Sequence, residues 1–188
     1  MGPGCYAPRR LLATLIAAGA ALLAACATSP SGHYHFALAS GSAQVPSQWS
    51  LRSLPRHGRI HLAARIREEV NPDQVTRVIL GFGDPEATFP LANLDMADPG
   101  CQGSYSFSVE YLKDRSTSTV DYFDGRLLWG APLTILAEWW PDGRLQLEIG
   151  DVGKQVFNLR EPIDRIQIRV LNGGLREGEL DFEDLSDS

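Results

Sequence analysis

The sequence has few cysteines and no pair of them outside its N-terminal segment. Of its three cysteines, Cys5 and Cys26 lie near the N-terminus and Cys101 lies in the rest of the chain. A single cysteine there cannot form an internal disulfide bond. No histidine lies near Cys101 in sequence, so we interpret it as a loop or half-buried thiol rather than a nucleophile.

The chain also lacks an excess of basic residues. Its 17 lysines and arginines face 23 acidic residues, which gives a formal net charge of −6. Such a chain has no general attraction for a phosphate backbone, so we expect no nucleic acid partner. It has neither a glycine-rich phosphate loop opening onto a helix nor a G-x-S-x-G serine motif.

No hydrophobic run in the sequence is long enough to span a membrane. The longest is the uncharged stretch "LLATLIAAGAALLAA", Leu11–Ala25, which follows Arg9 and Arg10. It is shorter than the roughly 20 apolar residues of a transmembrane helix. A short positive region followed by such a run is typical of a secretory signal.

The end of that run, "LLAAC", Leu22–Cys26, resembles the lipobox of bacterial lipoproteins. The resemblance implies cleavage before Cys26 and lipid attachment to it, with an ordinary signal cut nearby as the alternative. We therefore divide the chain into a signal peptide at 1–25, a polar tether at 26–32 and a folded domain at 33–188. No aspartate follows Cys26, which by resemblance to bacterial sorting patterns favours the outer membrane.

Beyond the tether, apolar residues recur at every second position, as on half-buried strands. The clearest segments are "RIHLAARI", "SYSFSVEYL", "RLQLEIG" and "RIQIRVL", and "HYHFALAS" fits a first strand. The run Gln74–Phe82 is more continuously apolar, which suits a central strand. No segment follows a helical period for more than about two turns. The pattern predicts an all-β domain whose antiparallel strands form two packed sheets.

The C-terminal half carries a resemblance to a known fold family. "LTILAEWWPDGRLQLEIG", "IDRIQIRVLNGG" and "GELDFEDL" resemble the concanavalin A-like and laminin G-like jelly rolls. In these, a hairpin with a tryptophan and a glycine-containing turn is followed by two strands. The resemblance implies a β-sandwich in which the last strand returns beside the first.

The acidic alternation "ELDFE" matches the catalytic strand of the family-sixteen glycoside hydrolases, which share this fold. By that resemblance Glu179 would be the nucleophile, Glu183 the acid/base and Asp181 the residue between them. In those enzymes the strand lies mid-chain, whereas here only "DLSDS" follows it. We therefore expect surface acids, with Leu180 and Phe182 in the core, and regard a small retaining glycosidase as the alternative.

Two aromatic positions are candidates for ligand binding. Trp139 and Trp140 are adjacent, so on a strand they point to opposite faces. We expect Trp139 in the core and Trp140 beside Glu138 on the outside, where it can stack on a sugar ring. Trp129 in "LLWGAP" is a weaker candidate.

The histidines and acidic loops give little reason to expect a metal. His33 and His35 share a strand face, and His57 and His61 flank an expected turn at Gly58, without the spacing of a zinc site. We predict no cofactor. Calcium is the one ion considered, through acidic side chains in two loops. These side chains are Asp84, Glu86, Asp95 and Asp98.

Together these observations predict a lipid-anchored lipoprotein of the bacterial envelope. Its domain is expected to be non-catalytic and to bind glycan or another envelope component. The alternatives are the glycosidase described above and a protein-binding accessory subunit. Fold alone does not decide among them.

Overall fold

A computed structural model describes residues 31–40, 47–67, 75–83, 91–97, 103–112, 118–159 and 161–186. Within these ranges every regular element is a strand. The strands are β1 (Ser31–Ser40), β2 (Ser47–Arg52), β3 (Gly58–Arg67), β4 (Arg77–Gly83), β5 (Ala92–Ala97), β6 (Ser104–Leu112) and β7 (Ser118–Tyr122). They continue with β8 (Leu127–Leu128), β9 (Pro132–Trp139), β10 (Arg144–Ile149), β11 (Gly153–Asn158), β12 (Arg165–Leu171) and β13 (Gly173–Asp184).

The strands form two antiparallel sheets, which confirms the predicted all-β sandwich. The first sheet has the order β1-β13-β3-β9-β10-β11, and the second has the order β2-β12-β4-β5-β6-β7, with β8 paired to β6. The last strand, β13, pairs with the first, as the resemblance implied. The apolar run that predicted a central strand is β4, which lies between β12 and β5.

The core lies between the sheets and consists of the apolar residues of the alternating patterns. In β9 the burial pattern changes at every residue, and its partner β10 does the same. Because successive strand residues point to opposite faces, this alternation places every second side chain in the interior. The fully buried side chains include Ile60, Leu62, Leu80, Phe82, Leu94, Phe107, Leu133, Ile135, Leu145, Leu147, Ile166 and Ile168.

The turn between β9 and β10 has the predicted form. The Gly143 amide donates to the Trp140 carbonyl, and the Trp140 amide donates to the Arg144 carbonyl. Gly143 has φ +84, a conformation that glycine adopts without strain. This tight hairpin fixes Trp140 at the rim of the first sheet.

The remaining predictions about chain organisation concern the N-terminal segment. Residues 1–30, and with them the signal and Cys26, lie outside the described residues. Strand β1 already begins at Ser31, inside the stretch assigned to the tether. Among the described residues, none belongs to a helix long and apolar enough to cross a bilayer.

Candidate functional site

Most of the polar candidates meet on the face of the first sheet that points away from the second sheet, called the outer face below. Cross-strand register builds it in rows. One row aligns Glu183 of β13 with Arg59 of β3 and Glu138 of β9. The next aligns Asp181 with His61. Residues opposite each other on one sheet face lie close enough to interact.

The carboxylate of Glu138 accepts three side-chain hydrogen bonds on the outer face. Arg59 donates to its Oε2 from Nε at 3.2 Å and from Nη2 at 3.0 Å. His57 Nε2 lies 3.1 Å from Oε1, and because a carboxylate can only accept, this nitrogen is the donor. The side chain of Glu138 is only 13% exposed. Arg59 also donates from Nη1 to Glu183 at 3.4 Å.

The surroundings of Glu138 set its charge state. Burial alone raises the pKa of its carboxyl, but the hydrogen bonds from His57 and Arg59 and the charges of both residues outweigh burial. The net pKa lies below the ordinary value of 4.5. Glu138 is therefore an anion at neutral pH, held as a fixed acceptor between two donors.

This lowered pKa predicts part of the acid sensitivity of the fold. A carboxylate with a depressed pKa contributes stability above its unfolded pKa, and the contribution is lost as pH falls through the folded pKa. Glu138→Gln should lower the free energy of unfolding by about 1–2 kcal/mol at pH 7 and by less at pH 3. Urea unfolding at both pH values measures this. Glu148→Gln, a half-exposed acid of the same face that pairs with Lys154, is the control. An equal loss at both pH values for Glu138→Gln would contradict the assignment.

Trp140 stands at the end of β9 between two cationic or polar side chains. The His57 ring stacks on its indole with a centroid distance of 5.6 Å and an interplanar angle of 26°. The Arg144 guanidinium lies over the indole at 4.7 Å. His57 directly precedes β3 and Arg144 begins β10, the two strands that flank β9. Arg144 is half exposed, and its guanidinium is also paired with Asp142 at 2.8 Å.

Trp139 points into the sandwich, as predicted. It is 0% exposed, donates from Nε1 to the Pro55 carbonyl at 2.9 Å, and stacks on Phe182. Gly58 lies against the same ring, and a Cβ there would be 2.5 Å from Cζ2. The prediction of a turn at Gly58 is wrong. This glycine is the first residue of β3, and it is small because the indole occupies the adjacent space.

The C-terminal acids occupy the outer face, which confirms the predicted alternation. Leu180 and Phe182 are buried, at 0% and 7% exposure, whereas the side chains of Glu179, Asp181 and Glu183 are 53–55% exposed. Each acid lies near a basic side chain of a flanking strand: Glu183 near Arg59, Asp181 near His33 and Glu179 near His35. Sequence spacing did not reveal these neighbours, which come from β1 and β3.

Trp129 lies apart from the other candidates. It follows β8, is 40% exposed, and its backbone amide donates to Gly103. Trp129 precedes β9, whereas Trp140 follows β9. At about 3.3 Å per residue, this strand is about 25 Å long. The two tryptophans therefore cannot contact one small ligand, and a role for Trp129 remains a separate prediction.

The loop candidates for calcium are only partly described. Asp95 is on β5 and is ion-paired with Arg77 rather than open to a metal. Asp84, Glu86 and Asp98, like Cys101, lie outside the described residues. Within the ranges given above, no group of three histidine, cysteine or acidic side chains is arranged to hold a metal ion.

The fold and its outer face define a β-sandwich with a polar, aromatic-bordered sheet surface. Among solved structures the chain is similar to the CBM2 module of the evolved Dit of Lactobacillus casei phage J-1. That match has a TM-score of 0.51 and 12% identity, and covers 77% of this chain and 74% of that one. At such identity the similarity is one of fold.

Other solved structures are more weakly similar. A homodimeric agglutinin from chicken liver has a TM-score of 0.49 at 9% identity, covering 71% of this chain and 98% of that one. An alginate lyase from Pseudomonas aeruginosa has a TM-score of 0.47 at 9% identity, covering 73% and 70%. No protein-family model and no curated protein matches the sequence.

Proposed function

We propose that this protein is a lipid-anchored envelope lipoprotein whose β-sandwich binds a neutral glycan on its outer face. The observation that carries the binding proposal is Trp140 placed beside the hydrogen-bonded group of Glu138, His57 and Arg59. Sugar recognition combines an aromatic ring with a few polar groups of fixed orientation. Both are present at one end of the sheet.

The shape of the outer face supports this location. An open depression of about 720 Å³ adjoins the Glu138 group and shares Arg59 with it. Its other walls include His61, Leu136, Asp181 and Glu183. That volume lies within the range of about 300–1,000 Å³ found for small-molecule sites. A short oligosaccharide can extend from Trp140 across the sheet towards β13.

The charge of the depression favours a neutral ligand. Its walls carry the carboxylates of Asp181 and Glu183, and Glu138 lies next to them, whereas Arg59 is already paired with two of these acids. A polyanionic glycan would face net repulsion there. Sugar hydroxyl groups can donate hydrogen bonds to the carboxylates and accept them from the guanidinium group. They carry no charge, so they are not repelled by the acids.

Anchoring is proposed on the lipobox resemblance of "LLAAC". The acyl chains on Cys26 would hold the domain at the membrane, because an acidic domain gains no attraction from anionic lipids. The absence of an aspartate after Cys26 favours the outer membrane. The domain would then lie on the periplasmic or external side of that membrane.

We do not assign hydrolysis to the C-terminal acids. A retaining glycosidase needs two carboxyl groups about 5–5.5 Å apart. Glu179 and Glu183 lie four positions apart on one extended strand, about 13 Å at the backbone. Each also lies near a different basic residue. Turnover of β-glucans or galactans by the wild type, lost in Glu179→Gln with Glu183→Gln, would overturn this assignment.

A glycan array tests the binding proposal. The wild-type chain should bind neutral glycans in preference to anionic ones, and Trp140→Ala and Glu138→Gln should each weaken binding at least about tenfold. Glu148→Gln removes a charge from the same sheet face beyond β9 and should bind as the wild type does. An array without signal for the wild type, or signal unchanged by Trp140→Ala, would contradict the proposal.

A further inference from the structure

Two histidines at the start of β1 point their Nε2 atoms at each other. His33 and His35 are two residues apart on one strand and therefore share its outer face. Their Nε2 atoms are 3.0 Å apart. Both side chains are accessible, with exposures of 49% and 69%. The glycan proposal gives neither histidine a role, although His33 lines the edge of the depression.

Acidic side chains of β13 lie behind both rings. The register places His33 opposite Asp181 and His35 opposite Glu179. His33 Nδ1 is 2.5 Å from Asp181 Oδ1, and His35 Nδ1 is 3.8 Å from Glu179 Oε1. A histidine that ligates a metal through one ring nitrogen usually donates its other N–H to such a carboxylate. Both Nε2 atoms therefore lie away from the carboxylates and 3.0 Å from each other.

We propose that His33 and His35 bind a divalent late transition metal ion, Cu²⁺ in preference to Zn²⁺, through their Nε2 atoms. With metal–nitrogen bonds of about 2.0–2.1 Å, the 3.0 Å separation corresponds to a ligand–metal–ligand angle of about 95°. This is close to the cis angle of the tetragonal sites that Cu²⁺ prefers and smaller than a tetrahedral angle. Water completes the coordination, consistent with the lack of a third protein ligand among the described residues.

Metal binding requires no net loss of protons from the two neutral imidazole rings. In the metal-free pair one Nε2 donates to the other, and Asp181 accepts from His33 Nδ1. Metal binding requires the lone pairs of both Nε2 atoms, so the shared proton moves to His35 Nδ1, which faces Glu179.

The proposed metal pair lies at the β1 end of the depression, which His33 and Asp181 also line. Strands β13 and β3 separate β1 from β9, so at about 4.8 Å per strand the pair lies about 14 Å from Glu138. Substitutions at Trp140 and Glu138 are therefore expected to change glycan binding and not copper binding, whereas Asp181 borders both sites.

Copper titration of the full chain, with its cysteines alkylated in every sample, tests the site. We expect one Cu²⁺ per chain with imidazole nitrogen couplings in pulsed electron paramagnetic resonance. His33→Ala and His35→Ala should each lower the affinity at least about tenfold and remove the two-imidazole signature. Asp181→Asn should lower affinity about 10–100-fold, because it removes the carboxylate that orients His33.

The same copper titration includes a control variant and a comparison with Zn²⁺. His57→Ala removes a histidine that contacts Glu138 and should leave copper affinity unchanged. Zn²⁺ should bind more weakly than Cu²⁺. Wild-type affinity in both His33→Ala and His35→Ala, or a spectrum without imidazole couplings in the wild type, would overturn the proposal.

Discussion

Replacing Cys26 with alanine should release the chain from the membrane. The lipobox resemblance makes the Cys26 thiol the lipid attachment point, and each buried methylene of an acyl chain contributes about 0.8 kcal/mol to membrane binding. The formal charge of −6 gives no electrostatic attraction to anionic lipids that would replace those chains. The expected effect is therefore close to complete loss of membrane association.

Palmitate labelling and membrane fractionation measure this effect. The wild type should carry label and sediment with membranes, whereas Cys26→Ala should carry none and, if it is exported, should be soluble. Cys101→Ala is the matched control, because it removes a thiol that lies far from the lipobox in sequence and should label normally. Undiminished labelling of Cys26→Ala would show that the anchor is elsewhere.

The second large effect is expected at Trp139, whose neighbour Trp140 provides the contrast. Trp139→Ala should lower the free energy of unfolding by about 3–5 kcal/mol, because it opens a cavity in the core. It also removes the ring that stacks on Phe182 and leaves the Pro55 carbonyl without its donor. Trp140→Ala removes a ring at the rim and should change stability by less than about 1 kcal/mol.

Urea unfolding of the two variants, followed by far-ultraviolet circular dichroism, compares these losses directly. If Trp139→Ala does not fold at 25 °C, Trp139→Phe should fold and still lose stability. Equal losses for Trp139→Ala and Trp140→Ala would mean that the face assignment at the end of β9 is incorrect.

The sandwich could be predicted because most of its strands alternate between buried and exposed residues. Two-residue periodicity assigns each side chain to a face, so the sequence alone separates Trp139 from Trp140 and Phe182 from Glu183. The hairpin between β9 and β10 was predictable from Pro141 and Gly143, since turn chemistry is local. These features depend on residues that are close in sequence.

The polar groups of the outer face could not be predicted, because they depend on strand order. Arg59 reaches Glu138 only because β3 pairs with β9, and the intervening chain builds five strands of the other sheet, β4 to β8, before it returns. Alternation gives the face of a residue but not its neighbouring strand. Pairing of the first and last strands was predicted. The contact between His33 and Asp181 follows from that pairing once the register of the two strands is known.

The central claim, glycan binding at the Trp140 end of the outer face, is tested most directly by the indole signals in nuclear magnetic resonance. The chain has four tryptophans, and single Trp→Phe variants assign their indole N–H signals. On titration with a neutral glycan identified on the array, the Trp140 signal should shift in a saturable way. The signals of buried Trp139 and distant Trp129 should stay in place. A shift confined to Trp49 or Trp129, with Trp140 unchanged, would contradict the account.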